Sequence, residues 1–288
     1  MALRDSGVAG APDLPPGQTL DLPGRGTTFV RTLDGPPGAP TLMLLHGWTA
    51  SADLNWFTCF RPLAAHFRVV AIDHRGHARG LRSKRPFRLE DCADDAVAAC
   101  DALGIDRFIP VGYSMGGPIA QLIWKRHPHR VDALVLCATS ASFSTSREER
   151  LGFLGLSGLA AVARLTPIQV HQWATDQFFL QRKSDGWAPW AVREVSMHDW
   201  RAVLEAGRAI GNYSASKWIH EVDVPTSVLV TTRDTVIPVR RQVRLFQQIP
   251  NAEAFRVDGN HDSVAMNPAW FVPVLIRACQ SAADRAAR

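Results

Sequence analysis

Cysteine is sparse and unpatterned in this sequence: Cys59, Cys92, Cys100, Cys137 and Cys279 are odd in number, scattered, and never spaced as C-x-x-C. That speaks against a disulfide framework and leaves five reduced thiols. No basic stretch followed by seven or more apolar residues opens the chain, so no secretory leader is read there, and no apolar run reaches the ~20 residues of a membrane span. The expectation is a cytoplasmic protein with no stable membrane insertion. Lysine is scarce as well, confined to Lys84, Lys125, Lys183 and Lys217, so the net charge of +5 comes mostly from arginine. The densest basic run, Arg79, Arg82, Lys84, Arg85 and Arg88, has no interleaved aromatics and belongs to no nucleic-acid motif. It reads as a solvated loop, and nucleic acid is not an expected partner.

Apolar material to bury is plentiful. With 46% hydrophobic residues in 288, one domain carrying a substantial insertion fits better than two independent domains. Residues 1–17, with Pro12, Pro15, Pro16 and Gly17, read as a loose arm. Gln18 to Leu22 and Thr27 to Thr32 form an edge hairpin. Short apolar runs then alternate with helical patterns: strands at Thr41 to Leu45, Arg68 to Ile72, Arg107 to Val111, Val131 to Cys137, Ser227 to Thr231 and Ala254 to Val257, helices at Leu54 to Phe67 and Leu89 to Leu103. Unbroken apolar strands are buried on both faces, so the fold class is α/β, a mostly parallel sheet covered on both sides. From 140 to 217 the alternation stops, and Phe143, Phe153, Trp173, Phe178, Phe179, Trp187, Trp190, Trp200 and Tyr213 punctuate a helical pattern. This segment reads as a helical cap inserted into a core made of residues 1–139 and 218–288; its apolar part, Leu151 to Leu165, is too short to cross a bilayer.

Between one strand and one helix lies Gly112-Tyr113-Ser114-Met115-Gly116-Gly117, the G-x-S-x-G pattern of a nucleophile elbow. A serine on so sharp a turn draws the flanking backbone together, so the residues two before and two after it need almost no side chain. The helix that follows aims backbone N–H groups at the serine, where an oxyanion would form. Pro110 cannot donate to a ladder, so an irregularity is expected in the strand before the elbow.

A serine nucleophile needs a base and an acid that orients it. Asp234 closes the run Val228 to Asp234, and His261 follows Phe255-Arg256-Val257, each just past a strand. Asp258 and Asp262 are alternative acids. His46 is either a second base or a loop histidine bonded to backbone, and His74 and His77 are either loop residues or metal ligands lacking a third partner at a recognisable spacing.

Taken together, His46-Gly47-Trp48, Asp73-His74-Arg75-Gly76-His77, the elbow, Arg233-Asp234-Thr235-Val236-Ile237-Pro238 and Gly259-Asn260-His261 resemble the α/β-hydrolase fold family in its capped serine-hydrolase branch, from about Leu20 onward. The resemblance implies Ser114 as nucleophile, His261 as base, Asp234 as orienting acid, and the backbone N–H groups of Trp48 and Met115 as oxyanion donors. It implies an ester as substrate, to which the aromatic cap adds a preference for a small apolar one; no cofactor is expected, no metal-ligand cluster is visible, and oligomeric state is not read from the sequence. Cleavage of C–C bonds in ring-cleavage products, with Arg164 or Arg193 holding a carboxylate, and a ligand-binding receptor with little turnover are the alternatives. Two departures stand out: Ala78 where members often have glycine, and Asn260 between Gly259 and His261.

Overall fold

An apolar run with no polar face has to be covered twice, and the sheet it enters does this. The computed structural model describes residues 12–144, 155 and 189–288. Its strands are β1 (Gly17–Leu22), β2 (Gly26–Leu33), β3 (Thr41–Leu45), β4 (Arg68–Ile72), β5 (Ile109–Tyr113), β6 (Leu134–Cys137), β7 (Thr226–Thr231) and β8 (Ala252–Val257). They form one eight-stranded sheet in the order β1-β2-β4-β3-β5-β6-β7-β8. β2 is antiparallel to β1 and β4, and every other pair is parallel. The helices are α1 (Ala52–Trp56), α2 (Phe60–Ala64), α3 (Leu89–Ala102), α4 (Gly116–Arg126), α5 (Pro189–Ser196), α6 (Trp200–Asn212), α7 (Val239–Gln248), α8 (Ser263–Met266) and α9 (Pro268–Ala286).

Alternation along the strands sorts the core into two layers. Met43, Leu45, Val70 and Ile72 pack with Ala96 and Cys100 of α3, Ile119 and Ile123 of α4 and Leu245 of α7. Leu42, Leu44, Val69 and Ala71 pack on the opposite face with Trp56, Phe60 and Leu63 and with Phe271, Leu275 and Cys279 of α9. The fold is thus the α/β architecture expected, and the carboxyl ends of β3 to β8 lie along one edge. All five cysteines are buried free thiols. Among the described residues no helix is long and apolar enough to cross a membrane.

Three expectations need correction. The helix read over Leu54 to Phe67 is two short helices parted at Phe57 to Cys59. Pro62 is the cause: a helix running through it would lack one N–H and would drive the ring into the carbonyl of Thr58. The sixth strand starts at Leu134 rather than Val131, for a reason that lies in Pro110. Phe108 bridges Val131 while Val111 pairs with Val135, so one strand advances three residues where its neighbour advances four. The surplus residue sits beside Pro110, which cannot donate there, and this bulge is the expected irregularity. The end of the supposed loose arm is also held: Pro15 is buried and its carbonyl accepts from Arg31 Nη1 at 2.5 Å. Arg31 is itself only 2% exposed, so its guanidinium needs every acceptor it can reach, Asp53 included.

Much of the segment between β6 and β7, including Phe153, Arg164, Trp173, Phe178, Phe179, Trp187 and all of the run Leu151 to Leu165 except Gly155, lies outside the described residues, as do residues 1–11 of the arm. Its α5–α6 portion is bonded to the loops that leave β3 and β4. Trp48 Nε1 donates to Val203 O (2.7 Å), Asp199 N to Gly76 O (2.8 Å), Ala78 N to His198 Nδ1 (2.7 Å) and Ser51 Oγ to Glu194 Oε2 (2.7 Å). Arg79 joins the same seam: its Nη2 reaches Asp53 (2.8 Å) and Glu194 (3.0 Å), and its Nε reaches Asp73 (3.0 Å).

Three carboxylates around one guanidinium cannot all be neutralised by it. Burial raises the Glu194 carboxyl, Arg79 opposes this, and the neighbouring Asp53 and Asp73 raise it further, to about 7. A folded state that holds this proton more tightly than the unfolded chain has the resulting stability in full below the ordinary value of 4.5 and loses it as pH rises through about 7. Glu194→Gln is therefore expected to flatten the fall in melting temperature between about pH 5 and about pH 8. Superimposable profiles for the two proteins would show that Glu194 does not carry this dependence.

Candidate active site

Only Ser114 and Met115 separate the end of β5 from the start of α4, so the chain reverses within two residues. Ser114 is forced to φ +51°, a left-handed conformation that costs a non-glycine residue about 1–2 kcal/mol. The glycines at either side make room for it. A Cβ on Gly112 would lie 2.2 Å from the carbonyl oxygen of Gly116, and one on Gly116 would lie 2.1 Å from that of Leu45. Because both obstacles are backbone, Gly116→Val is expected to abolish activity and to lower the melting temperature by several degrees; a fully active variant would refute this account of the turn.

The loops after β7 and β8 bring in the other two groups. His261 Nε2 is 3.0 Å from Ser114 Oγ, and its Nδ1 is 2.9 Å from Asp234 Oδ2. Asp234 is 7% exposed and its lone pairs are nearly all taken. Oδ1 accepts from the N–H groups of Val236 (2.9 Å) and Ile237 (2.8 Å); Oδ2 accepts from Thr231 Oγ1 (2.7 Å) and Gln242 Nε2 (3.1 Å) as well as from His261. Burial pushes the carboxyl up, but the hydrogen bond and charge of His261, followed by Thr231 and the Ile237 N–H, outweigh it and hold Asp234 below its ordinary value. It stays ionised and can fix the imidazole in the tautomer that presents a free Nε2 to the serine.

The loop after β3 completes the surroundings of Ser114. A Cβ added to Gly47 would stand 3.5 Å from Ser114 Cβ, so His46-Gly47-Trp48 runs directly beside Ser114. Among the described residues, the backbone N–H groups of Trp48 and Met115 take no part in the hydrogen bonds of their turns, which leaves both amides available to a developing oxyanion.

The alternatives separate on geometry. Asp258 pairs with Arg233 at the surface (3.0 Å) and Asp262 precedes α8, while Asp234 is the carboxylate on His261. His46 is fully buried and bonded through both ring nitrogens, Nδ1 to Gly47 O (2.7 Å) and Nε2 from His74 N (2.9 Å), so it serves the loop. His74 and His77 are buried beside it with ring centroids 4.3 and 5.3 Å away. No group of three side chains suited to hold a metal ion occurs among the described residues. Ala78 has φ +39°, which explains a preference for glycine at this position. Gln242 went unnoticed in the sequence, although a fully buried glutamine on α7 bonded to Thr231, Asp234 and Ile237 is a visible anomaly once its face is known.

Comparison with known proteins matches this architecture. A family model described as the alpha/beta hydrolase fold matches residues 40–265. A protein of Agrobacterium fabrum that bears the name carbamate hydrolase RutD is 27% identical over 227 residues, 76% of this chain and 85% of its own length. Epoxide hydrolase B of Mycobacterium tuberculosis is 34% identical over 139 residues, 46% of this chain and 37% of that protein. Among solved structures, an enol-lactonase from Burkholderia xenovorans superposes with a TM-score of 0.72 at 24% identity, covering 91% of this chain and 100% of that one.

Proposed function

The chain belongs to the alpha/beta hydrolase fold family, and on that premise we propose that it is a serine hydrolase cleaving a carboxylic ester with an apolar acyl or alcohol part. The observation that carries this reading is the unbroken line Ser114 Oγ to His261 to Asp234, at 3.0 and 2.9 Å. His261 Nε2 takes the Ser114 proton as Oγ adds to the acyl carbon, and the resulting oxyanion is met by the N–H groups of Trp48 and Met115. The protonated His261 then passes its proton to the departing alkoxide, leaving an acyl-Ser114. Water, deprotonated by the same nitrogen, repeats the addition and frees the acid.

The apolar preference is read from the aromatic residues that the sequence places in the segment from 140 to 217. A cytoplasmic setting with five free thiols belongs to the same proposal. Similarity to a protein named as a carbamate hydrolase favours a second reading, in which the carbonyl that Ser114 attacks is that of a carbamate and the carbamoyl group passes to serine. Serine at the elbow speaks against epoxide opening, which in this family runs through an aspartate nucleophile.

The test is labelling with a fluorophosphonate, followed by a panel of aryl esters of graded acyl length with an aryl carbamate alongside. One equivalent of label on the Ser114 peptide, with turnover that grows as the acyl chain lengthens, is expected. A protein that neither takes the label nor releases phenol is not a serine hydrolase.

A further inference from the structure

His261 stands on a loop, and a base on a loop delivers its nitrogen reliably only if its main chain is held. Both ends of that main chain are held here, the carbonyl by a residue next to Ser114 and the N–H by Asn260, which is itself held by a residue next to Asp234. The His261 N–H donates to Asn260 Oδ1 (2.8 Å). The same oxygen accepts from the backbone N–H (3.1 Å) and the hydroxyl (3.2 Å) of Thr235, the residue directly after Asp234. The His261 carbonyl accepts from the hydroxyl of Tyr113 at 2.5 Å, and Tyr113 directly precedes Ser114. A second relay, from Tyr113 through the His261 backbone and Asn260 to Thr235, thus runs alongside the side-chain relay from Ser114 to Asp234.

The two residues are suited to this in different ways. Tyr113 is 3% exposed and its ring is wedged edge-on between Trp56 (5.9 Å) and Phe271 (5.7 Å), so its hydroxyl is presented from a rigid mount. Asn260 is exposed, where packing makes no demand on side-chain identity. All three of its contacts there are donors, so the oxygen must face them and a side chain without an acceptor would break all three at once. Resting on the serine-hydrolase reading above, we infer that Tyr113 and Asn260 are positioning residues that set His261 between nucleophile and acid by gripping its backbone.

The experiment compares Tyr113→Phe, Asn260→Gly and Asn260→Asp with the parent in the full-length chain. Steady-state cleavage of an aryl ester, the rate of fluorophosphonate labelling, and the low-field proton NMR signal of the His261–Asp234 hydrogen bond are recorded. Tyr113→Phe and Asn260→Gly are each expected to lower kcat and labelling rate about tenfold with KM little changed, because sub-ångström misplacement of the base weakens the transition state and not substrate binding. Their low-field signal should broaden. Asn260→Asp keeps the acceptor oxygen and should recover most of the labelling rate and a sharp signal. Parental kcat and a sharp signal in both Tyr113→Phe and Asn260→Gly would overturn the inference, as would an Asn260→Asp protein as impaired as Asn260→Gly. Should Tyr113→Phe fail to fold, the exposed Asn260 pair decides alone. A parent that takes no label and turns over no ester strikes the serine-hydrolase reading instead, while the low-field signal still reports whether the two residues position His261.

Discussion

Replacing Ser114 with alanine is expected to lower ester turnover by about 10⁴ to 10⁶ while leaving the protein folded. The hydroxyl oxygen is the atom that becomes covalently bound in the proposed route, and among the described residues no other hydroxyl is bonded to His261 Nε2: that nitrogen meets Ser114 Oγ and the ring's other nitrogen is committed to Asp234. What remains is whatever the oxyanion donors and substrate positioning contribute to direct attack by water. Folding is spared because the left-handed turn at φ +51° is imposed by the strand and helix on either side, and alanine adopts it no less readily than serine. The measurement is kcat/KM for an aryl ester together with a thermal melt. Turnover within tenfold of the parent would remove Ser114 from the mechanism, whatever the melt shows.

Asp234→Asn is the second large effect, expected to reduce turnover by up to about 10⁴. An amide in place of the carboxylate can accept through one atom only, whereas both oxygens of Asp234 are surrounded by donors: two backbone N–H groups on one, and Thr231, Gln242 and His261 on the other. Whichever way the amide turns, its NH₂ meets N–H groups. If it faces Val236 and Ile237, their amides go unsatisfied; if it faces His261, the imidazole is driven to the tautomer that places its proton on Nε2, where it should be receiving one from serine. The variant should therefore lose about 1–3 kcal/mol of stability in addition to its activity. Since Asp234 is held below its ordinary value by these partners, its contribution to folding is present at neutral pH and is lost as pH falls toward and below the usual carboxylate range. Asp258→Asn, at a surface pair with Arg233, should change turnover by less than about threefold. If that variant were the crippled one and Asp234→Asn were active, the acid would have been misassigned.

The features legible in the sequence are those whose physical cause is local. Strands β3, β4 and β5 announce themselves because burial on both faces confines their polar residues to the first or last position. The elbow does so because close backbone approach at Gly112 and Gly116 forbids side chains within a few residues of the serine. The break before Pro62 and the bulge beside Pro110 have equally local causes, a missing donor and a ring clash, and of the two only the second is expected from the sequence analysis above.

Other matters were decided by tertiary structure, because they depend on which distant segments the sheet order places side by side. The resemblance already points to Asp234, but setting Asp258 aside on geometry requires β7 and β8 to pair in register and their loops to turn toward β5, which no spacing within the loops reveals. The roles of Gln242, Tyr113 and Asn260 were invisible for the same reason: the Tyr113 hydroxyl meets a carbonyl 148 residues away in the chain. Residue type and periodicity record what a side chain needs, namely burial, space or a partner. Which partner stands 3 Å away is settled only when the strands are laid in order.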